Sequence, residues 1–377
     1  MSRKTLILLA QGGAGDVLAF TPCVRAARKQ YPEDEIVILS TYSDLLKHNP
    51  NIDVLIPLKD PDQFGDFYEE YVLKRGIENV RYFRKFFPYD HFLTEAKYQS
   101  SNLRDFITRL YGFEPDGNSY PEYFITEYEK RAAEVFLRQD QKPVVLLHIY
   151  TAVPSENGMP QRVGCNICGG QGKDQNGNAC GVCFGNGYLI QRQKTNSLKD
   201  LNPATIAPII EKYKKDYNFL QIGLDGEPLI PGAFDCLNMP MRDTIALIQH
   251  PQVKSFIFAE SLFQHCAAAF RKSGIVIFQN TDPEFFGYKS AYNVSDAGGC
   301  KSWPCNRPVG ALLDFNPGYK NPKTRERVLW ECPDQKCARL STADLEKVFV
   351  ETISGTTTSN VVPIGGAAKT LDEVRDL

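Results

Sequence analysis

A strand, a glycine turn and a helix open this chain, and their order constrains its fold most strongly. The apolar run Thr5–Ala10 leads into Gly12, Gly13 and Gly15, and apolar residues at helical spacing follow. Such turns lie at the carboxyl ends of parallel strands, where ligands bind, and glycines let a backbone approach a ligand closely. Asp16 ends the turn. Its position fits either an N-cap that accepts from free amides or a carboxylate that faces a cleft.

Strand and helix patterns alternate along the 377 residues, which predicts an α/β fold with parallel sheets covered by helices. The predicted strands are 5–10, 36–40, 54–57, 91–94, 144–149, 219–222, 255–259 and 275–278. The predicted helices are 68–87, 100–111, 205–213, 241–249 and 262–270. A chain of this length can bury two cores. We therefore expect an N-terminal domain at 1–140, a C-terminal domain at 141–353 and a tail at 354–377.

The charge balance and the apolar runs exclude some classes of protein. The net charge is −2, from 43 basic and 45 acidic residues, so no global electrostatic footprint for nucleic acid exists. The longest apolar runs have about six residues, far fewer than the roughly 20 that a spanning helix needs. The first of them is also too short for a secretory signal. These features predict a soluble, cytoplasmic protein without a transmembrane segment.

Residues 162–192 interrupt the second domain with a cysteine repeat. Each half has the pattern Cys-x-x-Cys-x-Gly-x-Gly, and 11 residues separate the two Cys-x-x-Cys pairs. This spacing is typical of structural zinc sites, and it resembles half of the zinc region of DnaJ-type chaperones. Four thiolates leave no open position for water, so the predicted Zn²⁺ is structural. Two disulfides are the alternative, which a chain without an export signal disfavours. The ligands would be Cys165, Cys168, Cys180 and Cys183.

Two blocks of the sequence resemble glycosyltransferase family nine, the heptosyltransferases. The first covers residues 16–39 and continues at 49–53, and the second covers 256–269 and 274–288. The resemblance implies the GT-B architecture, in which two Rossmann-like domains face a cleft. It also implies transfer of a sugar from a nucleoside diphosphate to a hydroxyl, with inversion and without a catalytic metal. Such an enzyme needs a base at the acceptor hydroxyl and positive charge at the departing diphosphate.

The same resemblance assigns roles to individual residues. Asp16 matches the general base, which places the glycine turn on the acceptor side. On the donor side, Thr151 falls at or near a phosphate-binding hydroxyl. Lys199 matches a phosphate-binding lysine, although a solvated surface lysine is an equal alternative. Amides at the start of a helix can also hold phosphate. The other donor-binding candidates are Asp225, Glu227, Glu260, Ser261, Leu262 and Thr281.

Three departures from the family pattern bear on the donor sugar. Glu260 stands where the family has an aspartate, and Leu262 stands where it has a glycine. Thr281 closes Gln279-Asn280-Thr281 in place of a Gly-Pro-Thr strand end. The longer acid and the bulkier loop favour a smaller or different sugar than ADP-heptose. We expect His265 to be a packed helix histidine rather than a catalyst.

A second cysteine set follows the nucleotide-sugar block, at 300–337. Its four-residue spacings are looser than those of a zinc knuckle. It resembles the four-cysteine metal finger of the protein O-heptosyltransferases, which implies a second structural metal, Zn²⁺ or Fe. The ligands would be Cys300, Cys305, Cys332 and Cys337. We expect Cys23, Cys236 and Cys266 to be buried, reduced thiols.

An inverting glycosyltransferase with a nucleotide-sugar donor is therefore the first functional interpretation. Its acceptor stays open between a saccharide, a protein hydroxyl and a hydroxylated nucleic-acid base. A non-catalytic binding module that acts through the zinc hairpin is one alternative. Another GT-B enzyme, such as an epimerase or a phosphorylase, is a second. Homo-oligomer formation also stays open.

Overall fold

The chain forms two parallel β-sheets with helices packed on them. The computed structural model describes residues 4–10, 12–58, 67, 69, 71, 73–74, 76–85, 102–138, 141–151, 161–164, 171, 173, 188–191, 199–225, 227–279, 281–295, 340–355 and 361–363. Among these residues, no helix has the length and apolar character needed to cross a membrane.

The first sheet has four described strands, all parallel, in the order β3-β2-β1-β4. They are β1 (Thr5–Ala10), β2 (Glu35–Ser40), β3 (Val54–Pro57) and β4 (Val80–Lys85). Its helices are α1 (Ala14–Ala19), α2 (Thr21–Gln30), α3 (Leu103–Leu110) and α4 (Glu127–Leu137).

The second sheet has seven described strands, again all parallel, in the order β13-β12-β11-β10-β5-β8-β9. They are β5 (Val144–His148), β8 (Asn218–Gly223), β9 (Phe234–Leu237), β10 (Val253–Ala259), β11 (Ile275–Phe278), β12 (Tyr292–Ser295) and β13 (Val361–Pro363). Its helices are α5 (Pro203–Tyr213), α6 (Met241–Gln249), α7 (Leu262–Ala269), α8 (Pro283–Phe286) and α9 (Thr342–Ser354). Parallel sheets with helices in an α/β order confirm the predicted fold class.

A short antiparallel ribbon stands apart from both sheets, at the base of the cysteine insert. It joins β6 (Gln161–Gly164) to β7 (Tyr188–Gln191). Gly164 is paired with Tyr188 at its inner end. The ribbon therefore brings together the two ends of the segment that carries the Cys-x-x-Cys repeat.

Apolar residues of the central strand β5 alternate between two cores, as the period of a strand requires. Val144 and Leu146 belong to the core that the second sheet shares with the first, whereas Val145 and Leu147 pack on the opposite face. In the shared core, α1 packs against α7 and α4 packs against α6. The turn that follows β1 is thereby brought against the second sheet.

Most predicted elements are present with bounds that differ by a residue or two, but two local predictions were wrong. Residues 80–85, predicted within a helix, form the strand β4, which pairs with β1. The first helix is also two helices, which break at Phe20. Pro22 lacks the N–H that a continuous helix would need, and it is tolerated in the first turn of α2. The predicted strand at 91–94 lies outside the described residues.

Candidate functional site

Four neighbouring strands of the second sheet end at one edge, and the predicted donor-binding residues follow them. Thr151 lies beyond β5, Glu227 beyond β8, Glu260 beyond β10 and Thr281 beyond β11. In an open parallel sheet, this carboxyl edge is where ligands bind. The topology therefore gathers residues that are up to 130 positions apart in sequence, from 151 to 281.

The β1–α1 turn places Asp16 at the facing side. Oδ2 of Asp16 accepts a hydrogen bond of 2.9 Å from the backbone N–H of Gly13. Gly13 is the N-cap of α1, and Asp16 is the third residue of that helix. The sequence predicted that Asp16 could accept from a free amide at the start of the helix, and it does so. Asp16 accepts from within the first turn, however, and does not occupy the N-cap position itself.

Burial raises the pKa of the Asp16 carboxyl above its ordinary value. The hydrogen bond from Gly13 and the positive charge of Lys199 lower this pKa, and the negative charge of Glu260 raises it. Lys199 and Glu260 belong to the second half of the chain. The three charged groups consequently act on each other between the two sheets.

Lys199 and Glu260 form an ion pair beside Asp16. The ammonium of Lys199 binds Oε2 of Glu260, whose side chain is only 8% exposed. Oε2 also accepts from the hydroxyl of Thr281 at 3.1 Å, and Oε1 accepts from Nε2 of Gln264 at 3.4 Å. A buried carboxylate is costly unless it is paired and hydrogen-bonded, and these three donors meet that requirement. Lys199 is therefore not a solvated surface lysine.

His265 packs against the glycine turn from the other side. A β-carbon on Gly15 would lie 3.2 Å from Nε2 of His265. Nδ1 of His265 shares a hydrogen bond with the hydroxyl of Tyr288. Burial, with the positive charges of Arg104 and Lys199, lowers the pKa of His265 to about 3. A buried, neutral imidazole confirms the prediction of a packed helix histidine.

Thr151 faces a residue that the sequence did not single out, Asp200. Oδ1 of Asp200 accepts from the backbone N–H of Thr151 at 2.7 Å and from its hydroxyl at 3.1 Å. The carbonyl oxygen of Asp200 accepts from Nε2 of Gln279 at 3.0 Å. These bonds hold the residue after Lys199 to the ends of β5 and β11.

Ser261 and Leu262 begin α7 at the centre of this edge. Ser261 is the N-cap, but its side chain does not bond the helix amides. Its hydroxyl lies 3.1 Å from Nδ1 of His148 at the end of β5. The backbone of Leu262 approaches the glycine turn, because its Cα would be 3.6 Å from a β-carbon on Gly15.

The two acidic donor-binding candidates that follow β8 differ in their surroundings. Asp225 is exposed on the loop after β8. Glu227 is buried, and its carboxylate folds over Gly223, where a β-carbon would lie 2.1 Å from Oε2. Gly223 also has a φ of +157°, which residues with a side chain rarely adopt, so its conformation and the nearby carboxylate both favour glycine.

A buried arginine joins the two halves of the chain near the site, and sequence reasoning missed it. Arg104 of α3 is 4% exposed, and it donates to the carbonyl oxygens of Phe285, Phe286 and Gly287 at 3.3, 3.2 and 2.9 Å. Its guanidinium lies 4.1 Å from the ring centroid of Tyr288. Free carbonyls at the end of the short helix α8 are the groups that a cation satisfies.

The eight cysteines predicted to bind metal lie outside the described residues. Within the described ranges, no group of three or more His, Cys, Asp or Glu side chains is arranged to hold a metal ion. Cys23, Cys236 and Cys266 are free and buried, which confirms their predicted state. Burial raises the pKa of the Cys23 thiol well above its ordinary value.

Several solved glycosyltransferases have a similar fold. A family 9 glycosyl transferase from Veillonella parvula superposes with a TM-score of 0.58 at 13% identity, over 94% of this chain and 98% of that one. ADP-heptose LPS heptosyltransferase II of E. coli superposes with a TM-score of 0.54 at 10% identity, over 93% of this chain and 99% of that one. TibC is a dodecameric, iron-containing heptosyltransferase from enterotoxigenic E. coli. Its structure in complex with ADP-D-beta-D-heptose superposes with a TM-score of 0.58 at 15% identity, over 94% of this chain and 77% of that one.

This chain has the fold of those glycosyltransferases. The likeness agrees with the predicted α/β fold with parallel sheets. The sequence itself matches no protein-family model and no curated protein. At these identities the likeness concerns the fold alone.

Proposed function

We propose that this protein is an inverting glycosyltransferase of the GT-B architecture, similar to the heptosyltransferases. It would move a sugar from a nucleoside-diphosphate sugar to a hydroxyl acceptor. The observation that carries the proposal is Asp16, a carboxylate with a raised pKa that acts across the two sheets on the Lys199–Glu260 pair. In this proposal, residues 1–140 form the acceptor domain and 141–353 form the nucleotide-sugar domain of a cytoplasmic enzyme.

Asp16 serves as the general base. It takes the proton of the acceptor hydroxyl while the acceptor oxygen attacks the anomeric carbon from the side opposite the diphosphate. The sugar–phosphate bond breaks, and the configuration inverts. A raised pKa brings the carboxylate nearer to the operating pH, where a general base is most effective. Gly13 orients the carboxylate through its amide, while Gly12 leaves room for the Asp16 side chain and Gly15 for His265 on this acceptor-side turn.

Lys199 and the first amides of α7, at Ser261 and Leu262, stabilise the negative charge of the departing diphosphate. Preorganised positive charge of this kind often accelerates a reaction more than any other single effect. We assign this neutralisation to the protein rather than to a catalytic metal. Glu260 and Thr281 hold the lysine in place from within the sheet edge.

The remaining donor contacts lie beyond β5 and β8. Asp225 and Glu227 follow β8, where they would bind the ribose hydroxyls. Thr151 belongs to the phosphate side of the site. Glu260 and Leu262, each larger than the residue in the family pattern, favour a sugar that is smaller than, or different from, heptose.

We further propose two structural metals. The ribbon β6–β7 supports a zinc hairpin at Cys165, Cys168, Cys180 and Cys183, because its register brings the ends of that segment together. Iron in TibC supports a second metal, Zn²⁺ or Fe, at Cys300, Cys305, Cys332 and Cys337. The dodecameric state of TibC supports a homo-oligomer here. The inserted hairpin favours a macromolecular acceptor, a protein or a hydroxylated nucleic-acid base, over a free saccharide.

A nucleotide-sugar panel tests the proposed donor. Ligands that bind the native state raise its melting temperature by mass action. We expect one nucleotide sugar to raise the Tm of the wild type and to have a much smaller effect on Lys199→Ala. Lys214→Ala, which removes an exposed lysine paired with Glu211, is the matched control and should respond as the wild type does. If no nucleotide sugar or nucleoside diphosphate changes the Tm of the wild type, the proposal is wrong.

A further inference from the structure

Asp200 has no role in the proposed reaction, yet it connects three elements at the sheet edge. Its Oδ1 accepts two hydrogen bonds from Thr151, of 2.7 and 3.1 Å, and its carbonyl oxygen accepts from Gln279. The next residue, Leu201, donates its N–H to the carbonyl of Ile149 at 2.8 Å. Residues 200 and 201 are thereby held along the continuation of β5.

The position of Asp200 in the sequence makes these bonds consequential. Residues 152–198 separate Thr151 from Lys199 in the sequence and include the cysteine insert, and Lys199 is the first described residue after β7. The bonds between Thr151 and Asp200 join the two sides of this sequence separation. The backbone at Lys199 is therefore held through its immediate neighbour.

A fixed backbone matters for a lysine, because its side chain is long and loses much rotamer entropy when its ammonium is held in one place. Lys199 must reach the buried Glu260 at the end of β10, whereas Asp200 is held to the ends of β5 and β11. In the sheet, β10 lies between β5 and β11. Asp200 is thus attached on both sides of the strand whose end Lys199 reaches.

We propose that Asp200 is a positioning residue that holds Lys199 at the donor phosphates, and that Thr151 acts by holding Asp200. The hydroxyl proton of Thr151 is donated to Asp200, so this hydroxyl does not donate to a phosphate in the same arrangement. The inference rests on the proposed function for the role of Lys199, but the Thr151–Asp200 pair can be tested without any ligand.

Chemical reactivity of Lys199 tests the pair directly. The full-length protein is treated with acetic anhydride, and peptide mass spectrometry measures the rate at which each lysine is acetylated. Exposed Lys214 is the internal reference. Hydrogen bonds to a charged group stabilise strongly, and Asp200→Ala removes the two that Thr151 donates to the Asp200 carboxylate. The relative rate of acetylation at Lys199 should therefore rise by about threefold or more. Asp200→Asn keeps an accepting oxygen and should remain near the wild type. Thr151→Val, which removes only the hydroxyl, should give a smaller increase.

Controls separate positioning from a general loss of structure. Asp216→Asn changes an exposed aspartate in the turn after α5 and should leave the rate at Lys199 unchanged. Far-UV circular dichroism and the Tm show whether Asp200→Ala folds, and Thr151→Val provides the milder variant if it does not. An unchanged rate at Lys199 in folded Asp200→Ala or Thr151→Val overturns the inference.

A double-mutant cycle then connects the pair to the donor, with ADP as the probe in calorimetry. We expect Asp200→Ala to weaken ADP binding by about tenfold, and the double variant with Lys199→Ala to bind no more weakly than Lys199→Ala alone. Full additivity of the two effects overturns the positioning role. If the reactivity changes as expected but Lys199→Ala binds ADP as the wild type does, the donor role of Lys199 in the proposed function fails instead.

Discussion

A β-carbon on Gly12 would lie 2.7 Å from Oδ2 of Asp16, so the turn and the carboxylate fit against each other. Gly12 also has a φ of +117°, a conformation that side chains other than glycine rarely adopt. Two separate physical reasons therefore require glycine beside the proposed base. At Gly117 only the conformational reason applies, because φ is +83° but no atom lies within 4 Å of a β-carbon placed there.

Gly12→Ala and Gly117→Ala separate these reasons. Strain at positive φ costs of order 1–3 kcal/mol, so both variants should lose free energy of unfolding in urea titrations. Gly12→Ala should also displace the Asp16 carboxylate and reduce sugar transfer, whereas Gly117→Ala should transfer at the wild-type rate. Equal transfer by the two variants would show that the fit between Gly12 and Asp16 is irrelevant to activity.

Glu129 makes folding stability depend on pH. It is bound by Arg242, whose Nη2 donates to Oε2 at 3.0 Å. This hydrogen bonding lowers the pKa of Glu129 from its ordinary value of 4.5 to about 2. Because the charged form is favoured in the folded state, the stabilisation is complete above the ordinary pKa. It is lost as the pH falls toward the folded-state pKa.

Glu129→Gln should therefore be destabilised most near neutral pH. The variant should have a lower free energy of unfolding than the wild type. The pKa difference implies that this deficit is about 2 kcal/mol smaller at about pH 3 than at about pH 6. Urea titrations at both pH values measure this. Glu127→Gln, an exposed glutamate on the same helix, should show a far weaker dependence. A Glu129→Gln deficit that is the same at both pH values contradicts the ion-pair account.

Metal content tests the two cysteine sets. Thiolate ligands release protons and couple metal binding to folding. We expect elemental analysis of protein purified under reducing conditions to find zinc and a second equivalent of Zn or Fe. Cys165→Ser with Cys180→Ser should remove the first metal only, and Cys305→Ser with Cys337→Ser the second only. Cys236→Ser, which changes a buried free thiol, should keep both. Disulfides in place of metal would refute this prediction.

The insert should select the acceptor rather than bind the donor. In the sequence, residues 162–192 follow β5, whose carboxyl end is part of the donor edge. A short Gly/Ser loop in their place keeps Thr151 and Asp200, so nucleotide-sugar binding and slow donor hydrolysis should persist. Transfer to the natural acceptor should fall sharply. Loss of donor binding would place the hairpin in the donor site. Unchanged transfer would make it a structural or oligomer-forming part.

The strand and helix periods predicted much of the fold. The bounds of β3, β11 and α6 agree with their predicted ranges, because β3 and β11 are short apolar runs and α6 begins directly after Pro240. Strand β4 was missed because it carries charged and aromatic residues that also fit a helix. Its pairing with β1 decides its conformation, and local propensity does not include that pairing.

Individual site residues were predictable where a motif carries them, and their partners were not. Asp16, Lys199 and Glu260 each belong to a recognisable segment, but nothing in the sequence pairs Lys199 with Glu260. Arg104 and Tyr288 are separated by more than 180 positions and belong to different halves of the chain. Contacts of this kind arise from how the sheets pack, so periodicity and motif spacing contain no information on them.

Asp16→Asn tests the central claim most directly. The variant keeps an oxygen that can accept from Gly13 but cannot take a proton from the acceptor. The assay is transfer of a radiolabelled nucleotide sugar, chosen from the panel, to acceptors in a cell lysate, with donor affinity measured in parallel. Asp44→Asn, an exposed aspartate, is the control.

Transfer by Asp16→Asn should fall about 100-fold or more, while donor affinity and the Tm stay near those of the wild type. Burial raises the pKa of Asp16, so wild-type transfer should decline as the pH falls through a value above the ordinary carboxyl range. The residual activity of the variant should lack that decline. Transfer by Asp16→Asn at the wild-type rate would contradict the assignment of Asp16 as the base.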